Sequence, residues 1–207
     1  MRKIDISSWK RKQHFEFFNQ FEEPYFGLTV TVDVTKAMQV AKKNGYSFFK
    51  YYLHKCMLAA NEIENFKYRI TSDNQVVLYD HIGASATMMR ENETFGFSYI
   101  PYLKDFNTFA QATQKEMDRI MQSDALFPSE DPINVIHYSA IPWLDFSALT
   151  HARMYKRADS IPKISFGKVT ERDGKKTMSI AVYVHHGLVD GLHISRFITL
   201  YQDLLNS

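Results

Sequence analysis

A mixed α+β domain, a large sheet with helices packed on it, is the fold that this sequence predicts. Three observations carry it. Alternating apolar runs such as Met178 to Val184 mark strands. Apolar residues three and four apart, best seen from Ser47 to Asn61, mark amphipathic helices. Both patterns recur in a chain of 207 residues, which a single domain over 1–207 accommodates.

The elements follow in chain order. Ser8 is placed to cap a short helix over Trp9 to Gln20, ended by Glu23-Pro24. Phe26 to Val34 alternates as a strand. Lys36 to Lys43 reads as a helix stopped by Asn44-Gly45. Ser47 caps a stronger helix to Asn61, with Phe48, Tyr52, Cys56 and Ala59 along one face. Strands are expected at Tyr68–Thr71, Val76–Tyr79, Gly83–Arg90 and Thr94–Pro101. A helix over Phe106 to Gln122 and a strand over Ile133 to Ile141 come next. Ile164–Thr170 and Lys176–His185 flank Arg172-Asp173-Gly174, a hairpin signal. A last helix covers Leu192 to Leu205.

Composition excludes several classes of function. Net charge is +2, from 25 basic and 23 acidic residues, and no basic stripe appears, so no nucleic-acid partner is expected. No run of about 18 apolar residues exists to span a membrane. The N-terminal Met1-Arg2-Lys3-Ile4-Asp5-Ile6 lacks the apolar core of a signal peptide. Cys56 is the only cysteine, so no intrachain disulfide can form and a reduced, cytoplasmic setting is expected.

Chemistry concentrates in His185-His186-Gly187-Leu188-Val189-Asp190-Gly191. Strand parity puts Met178, Ile180, Val182 and Val184 on one face, with His186 at its end, and Ser179, Ala181, Tyr183 and His185 on the other. An imidazole there, followed by a Gly-flanked turn with a carboxylate four residues on, suits a general base. The motif alone also fits a packed core pair or metal ligands. Adjacent strand residues point apart, and no cysteine cluster or HExxH helix accompanies them, so metal is the weaker alternative.

Four further segments accompany the motif: Trp9 to Phe17, Asn92-Glu93-Thr94-Phe95, Ser139-Ala140-Ile141-Pro142-Trp143, and Ile164-Ser165-Phe166-Gly167-Lys168. In this order and at these separations the chain resembles the chloramphenicol acetyltransferases of the trimeric, CoA-dependent kind. The likeness covers nearly the whole chain. HxxxD also occurs in dihydrolipoyl acyltransferases and peptide-synthetase condensation domains, but those normally belong to longer chains. The resemblance implies the CoA-dependent acyltransferase fold, a large mixed sheet flanked by helices. It implies that His186 is the general base, that Ser139 meets the oxyanion, and that Ser165 assists through water. It implies a pair between Asp190 and Arg11 that holds the site together. Phe18, Phe95, Phe127 and His137 fall in acceptor-side segments, Phe127-Pro128 in a loop, and Trp143 and Lys168 on the CoA side. Acetyl-CoA is then a co-substrate, no tightly bound cofactor or metal is implied, and the assembly is a homotrimer with shared sites.

Departures from the family pattern fall on the acceptor side and part of the CoA side. His137 stands where asparagine or a small residue is usual. No aromatic residue stands near Asp159-Ser160, and Val169 replaces a frequent tyrosine. The leading function is acetyl-CoA-dependent O-acetylation of a small hydroxylated acceptor, with chloramphenicol the first to consider. An acyltransferase with another acceptor, such as an amine or sugar, or another donor is the alternative. An idle binding protein is disfavoured by the retained His186, Asp190, Arg11 and Ser139. His185, His193 and Cys56 read as structural.

Overall fold

The computed structural model describes residues 1–127, 132–153 and 159–207. A six-stranded mixed sheet runs in the order β2-β9-β8-β7-β5-β6, formed by Tyr25–Asp33 (β2), Gly83–Met89 (β5), Phe95–Phe97 (β6), Val135–Ala140 (β7), Lys163–Arg172 (β8) and Lys175–His185 (β9). The central strands β5, β7 and β8 are parallel, and the flanking pairs are antiparallel. A second sheet joins Arg2–Lys3 (β1), Val76–Leu78 (β4) and Tyr68–Ile70 (β3).

Among the described residues five α-helices, Lys12–Phe18 (α1), Thr35–Asn44 (α2), Phe48–Glu62 (α3), Phe106–Met121 (α4) and Gly191–Leu205 (α5), and a 3-10 turn at Glu64–Lys67 complete the fold. Their ends follow local chemistry. The Ser47 hydroxyl accepts from the Lys50 amide at the start of α3, and the Asp105 carboxylate accepts from the Thr108 amide at 2.8 Å at the start of α4. Gly45, at φ 70°, ends α2 in the left-handed conformation glycine adopts without strain. Asp173 (φ 52°) and Gly174 (φ 76°) form the two-residue hairpin turn between β8 and β9.

Parity in β9 is as the alternation implies. Met178, Ile180, Val182 and Val184 join the main apolar core, together with Leu53, Cys56 and Met57 of α3 and Ile194, Phe197 and Tyr201 of α5. The helices therefore cover the face of even-numbered β9 residues. Burial of this core, at about 25 cal/mol per Å² of apolar area, is the main force holding the sheet to the helices.

Two expected elements differ. Ser8 does not cap α1. Ser7 and Ser8 instead hydrogen-bond the Asp5 carboxylate at 2.7 and 2.9 Å, forming a turn that delays the helix until Lys12. The expected strand Thr94–Pro101 pairs regularly only over Phe95–Phe97, with one further bridge from Ile100 to Ala84. The Ser98 amide still donates to the Ala86 carbonyl at 3.0 Å, but the Ala86 amide is met by the Ser98 hydroxyl, also at 3.0 Å, where a regular ladder would use the Ser98 carbonyl.

Candidate active site

His186 leaves β9 just past its last strand residue, tied by its amide to the Pro24 carbonyl at 2.8 Å. Its ring stacks on Phe18 at 4.0 Å and 10°, and lies against Phe26 at 4.3 Å. Phe26 pairs in register with Val184, so His186 belongs to the even-numbered face, as parity predicts. About a third of its side chain remains accessible (35%). Two aromatic walls leave the imidazole few orientations, which is what a positioned base requires.

The carboxylate four residues on is held from the far end of the chain. Arg11 Nη1 and Nη2 donate to Asp190 Oδ2 and Oδ1 at 2.5 and 2.9 Å across 179 residues of sequence. The same guanidinium donates to the carbonyls of His186 at 3.1 Å and Gly187 at 3.3 Å. One planar fork thus fixes both the carboxylate and the backbone that carries the imidazole. Hydrogen bonds and charge from Arg11 hold the Asp190 carboxyl below its ordinary range. Asp190 Oδ1 lies 3.5 Å from His186 Nδ1. That nitrogen is buried without a hydrogen-bond partner among the described residues.

His185 is buried on the opposite face. The Gly187 amide donates to its Nδ1 at 3.1 Å, so that nitrogen carries no proton. Burial pushes its pKa down to about 4. His193 accepts the Asp190 amide through Nδ1 at 2.9 Å, at the start of α5. Both are structural roles. Cys56 is buried in the core, and burial pushes its thiol up, away from nucleophile chemistry. Among the described residues no group of three or more His, Cys, Asp or Glu could hold a metal ion. No helix among them is long and apolar enough to cross a membrane.

Ser139 and Ser165 are in register on the parallel pair β7–β8, and Ser165 is in register with Ala181 of β9. Both serines therefore lie on the odd-numbered β9 face, with His137 and Lys163 one step along. Ser139 is half-buried, whereas Ser165 is fully covered, 3.4 Å from His151 Nε2. His186 and Ser139 thus belong to opposite faces of one sheet.

The other expected contacts fall in separate places. Phe95 and Phe127 flank Phe97, with ring centroids at 5.4 and 5.3 Å, on the β6 edge; both are exposed, and Pro128 lies outside the described residues. Trp143 is exposed on the turn after β7. The Lys168 amide donates to the Leu144 carbonyl at 2.8 Å, which brings the two expected CoA-side segments together. The sequence reading missed His151, which meets Ser165, Lys163, which is in register with His137, and Asp159, Tyr25 and Arg153, which join them through the Asp159 carboxylate. The parity of β8 places Lys163 there; the others come from loops and the edge strand.

The family profile described as chloramphenicol acetyltransferase matches residues 1–202. The chain belongs to the chloramphenicol acetyltransferase family. It is an acyltransferase. A chloramphenicol acetyltransferase from Proteus mirabilis is 30% identical over 200 residues, covering 96% of this chain and 92% of that protein. Chloramphenicol acetyltransferase 3 from Escherichia coli is 28% identical over 207 residues, covering 99% and 97%. A solved chloramphenicol acetyltransferase superposes at TM-score 0.88 with 35% identity, covering 99% of each chain. A dihydrolipoamide acetyltransferase from Azotobacter vinelandii, 13% identical at TM-score 0.67 and covering 94% of this chain and 86% of that one, shares the fold.

Proposed function

We propose that this chain is an acetyl-CoA-dependent O-acetyltransferase acting on a small hydroxylated acceptor, by direct transfer in a ternary complex. His186 Nε2 removes the acceptor hydroxyl proton as its oxygen attacks the thioester carbonyl. The Ser139 hydroxyl donates to the oxyanion that forms, with Ser165 and a water in support. The intermediate collapses, the C–S bond breaks, and the sulfur leaves with the proton from the His186 imidazolium. Holding both substrates together supplies much of the rate. Trp143 and Lys168 serve the CoA side, while Phe18, Phe95, Phe127 and His137 serve the acceptor.

The observation that carries this reading is the Arg11 fork. A guanidinium 179 residues away is spent on Asp190 and on the backbone of His186. A merely packed histidine needs no such bracing.

The sheet geometry also supports an assembly. A base on one face and an oxyanion donor on the other cannot act on one carbonyl within one chain. A homotrimer answers this if His186 of one subunit reaches the Ser139 face of the next. Cytoplasmic residence belongs to the same reading, with the single thiol shielded in the core.

Thiol release from acetyl-CoA, measured across acceptors that include chloramphenicol, tests the function. Acceptor-dependent release that His186→Ala abolishes is the expected result. Release that persists in His186→Ala refutes the assignment.

A further inference from the structure

The wall around Ser139 and Ser165 is polar. His137 stands beside Lys163 in register, and His151 covers Ser165 at 3.4 Å. Lys163 Nζ donates to Asp159 Oδ2 at 2.6 Å, and the Tyr25 hydroxyl donates to Asp159 Oδ1 at 3.0 Å. Arg153 pairs with Glu23 and lies over the Tyr25 ring at 3.8 Å. Lys163 Nζ also approaches that ring, at 4.7 Å. Cations therefore occupy the Tyr25 ring, which stacks at 5.4 Å on Tyr183, the aromatic neighbour of His151 on this face.

The charges form one network: Asp159 meets Lys163 at 2.6 Å and Arg153 at 3.8 Å, and Arg153 also pairs with Glu23. Burial opposes the charge on Asp159, yet Lys163, the Ile161 amide and Tyr25 hold its carboxyl below the ordinary range. Burial, with help from Lys163, pushes His137 and His151 down to about 4, so both are neutral imidazoles near pH 7. A neutral imidazole offers one donor and one acceptor, and a hydroxyl group can meet either.

We propose that this wall selects an uncharged, polyhydroxylated acceptor, a sugar or polyol, with His137, His151 and the Lys163–Asp159 pair setting specificity. The proposal rests on the acetyl-transfer reading above, because that reading puts the acceptor beside Ser139. A wall built for hydrogen bonding discriminates strongly against molecules that leave its groups unpaired, whereas apolar contacts discriminate by far less. The structure thus favours an acceptor that is hydroxylated all round over one whose hydroxyls sit on an aryl framework.

The test is thiol release from acetyl-CoA, comparing kcat/KM for methyl β-glucoside, methyl β-galactoside and sorbitol with that for chloramphenicol and benzyl alcohol. At least one polyol is expected to exceed both aryl compounds by about 10²-fold or more. The double variant Lys163→Met/Asp159→Leu removes both charges of the pair together and leaves Arg153 its Glu23 partner. It is expected to shift the ratio toward chloramphenicol by at least about tenfold, the loss of one good polar contact. Should it fail to fold, His137→Asn is expected to shift the ratio in the same direction. A wild-type preference for chloramphenicol overturns the proposal and leaves acetyl transfer intact. Ratios unmoved in every folded variant overturn the assignment of these residues. No release with any acceptor overturns the acetyl-transfer reading and the proposal together.

Discussion

Asp190→Asn is the most informative single change, because it separates bracing from chemistry. The wild-type contact is bidentate, at 2.5 and 2.9 Å, with Arg11 12% and Asp190 32% exposed. Breaking a fully buried pair costs about 3–5 kcal/mol, and hydrogen bonds to charged groups contribute about 1.5–3 kcal/mol each. The partial exposure of Asp190 and the amide oxygen that asparagine keeps place the expected loss near 3 kcal/mol. For a chain of this size that lowers Tm by about 6–12 °C. Chemical and thermal unfolding at pH 7 and fixed protein concentration measure it, since assembly adds its own term. A cycle with Arg11→Met should return a coupling of about 2 kcal/mol between the two side chains. The pH dependence follows from the lowered Asp190 carboxyl. Its contribution is complete above the unfolded value of about 3.9 and is lost as pH falls through the lower folded value. Wild type and variant therefore converge in strong acid. An Asp190→Asn protein within about 0.5 kcal/mol of wild type at pH 7, or a cycle with no coupling, refutes the bracing role. Turnover should fall with stability, because the same fork holds the His186 carbonyl.

Four further outcomes are expected. His186→Ala removes transfer and leaves the circular dichroism spectrum unchanged, whereas His185→Ala lowers Tm; the reverse pattern exchanges their roles. Ser139→Ala lowers kcat by about 10²–10³ through the lost oxyanion donor, with little change in KM; stopped-flow turnover checks this where chemistry limits the rate. His185 titrates near 4 when folded and near 6.5 when unfolded, so its stabilising contribution is complete above pH 6.5. It then declines by about 1.4 kcal/mol per pH unit as pH falls toward 4, and unfolding of His185→Asn across that range should show a shallower slope. Light scattering should give about three times the 24.2 kDa chain mass, and a fully active species of one chain mass refutes the shared site.

Local pattern was enough for much of this molecule. Alternation in β9 assigns His186 to the apolar face and His185 to the other, because a strand fixes side-chain direction by parity alone. The Asp173-Gly174 turn, the Ser47 cap and the Gly45 stop are equally local, since each depends on a few adjacent backbone angles. Where short-range alternatives compete, the pattern misleads. Ser8 has the chemistry of a helix cap but bonds Asp5, and Ser98 takes up ladder positions of its own strand.

The Arg11–Asp190 pairing was legible only through the family resemblance; its two ends are 179 residues apart and nothing local links them. No periodicity reports that His151 meets Ser165, or that Asp159, Arg153 and Tyr25 join Lys163 beside His137, because they come from separate loops and an edge strand. The separation of His186 from Ser139 needed the registers of β9, β8 and β7 together. Parity within a strand is enough to assign each of its residues a face. Which strands lie side by side is set by the tertiary fold, and that order is what puts His186 and Ser139 on opposite sides of one sheet. Strand order arises from long-range burial, which no window of sequence contains.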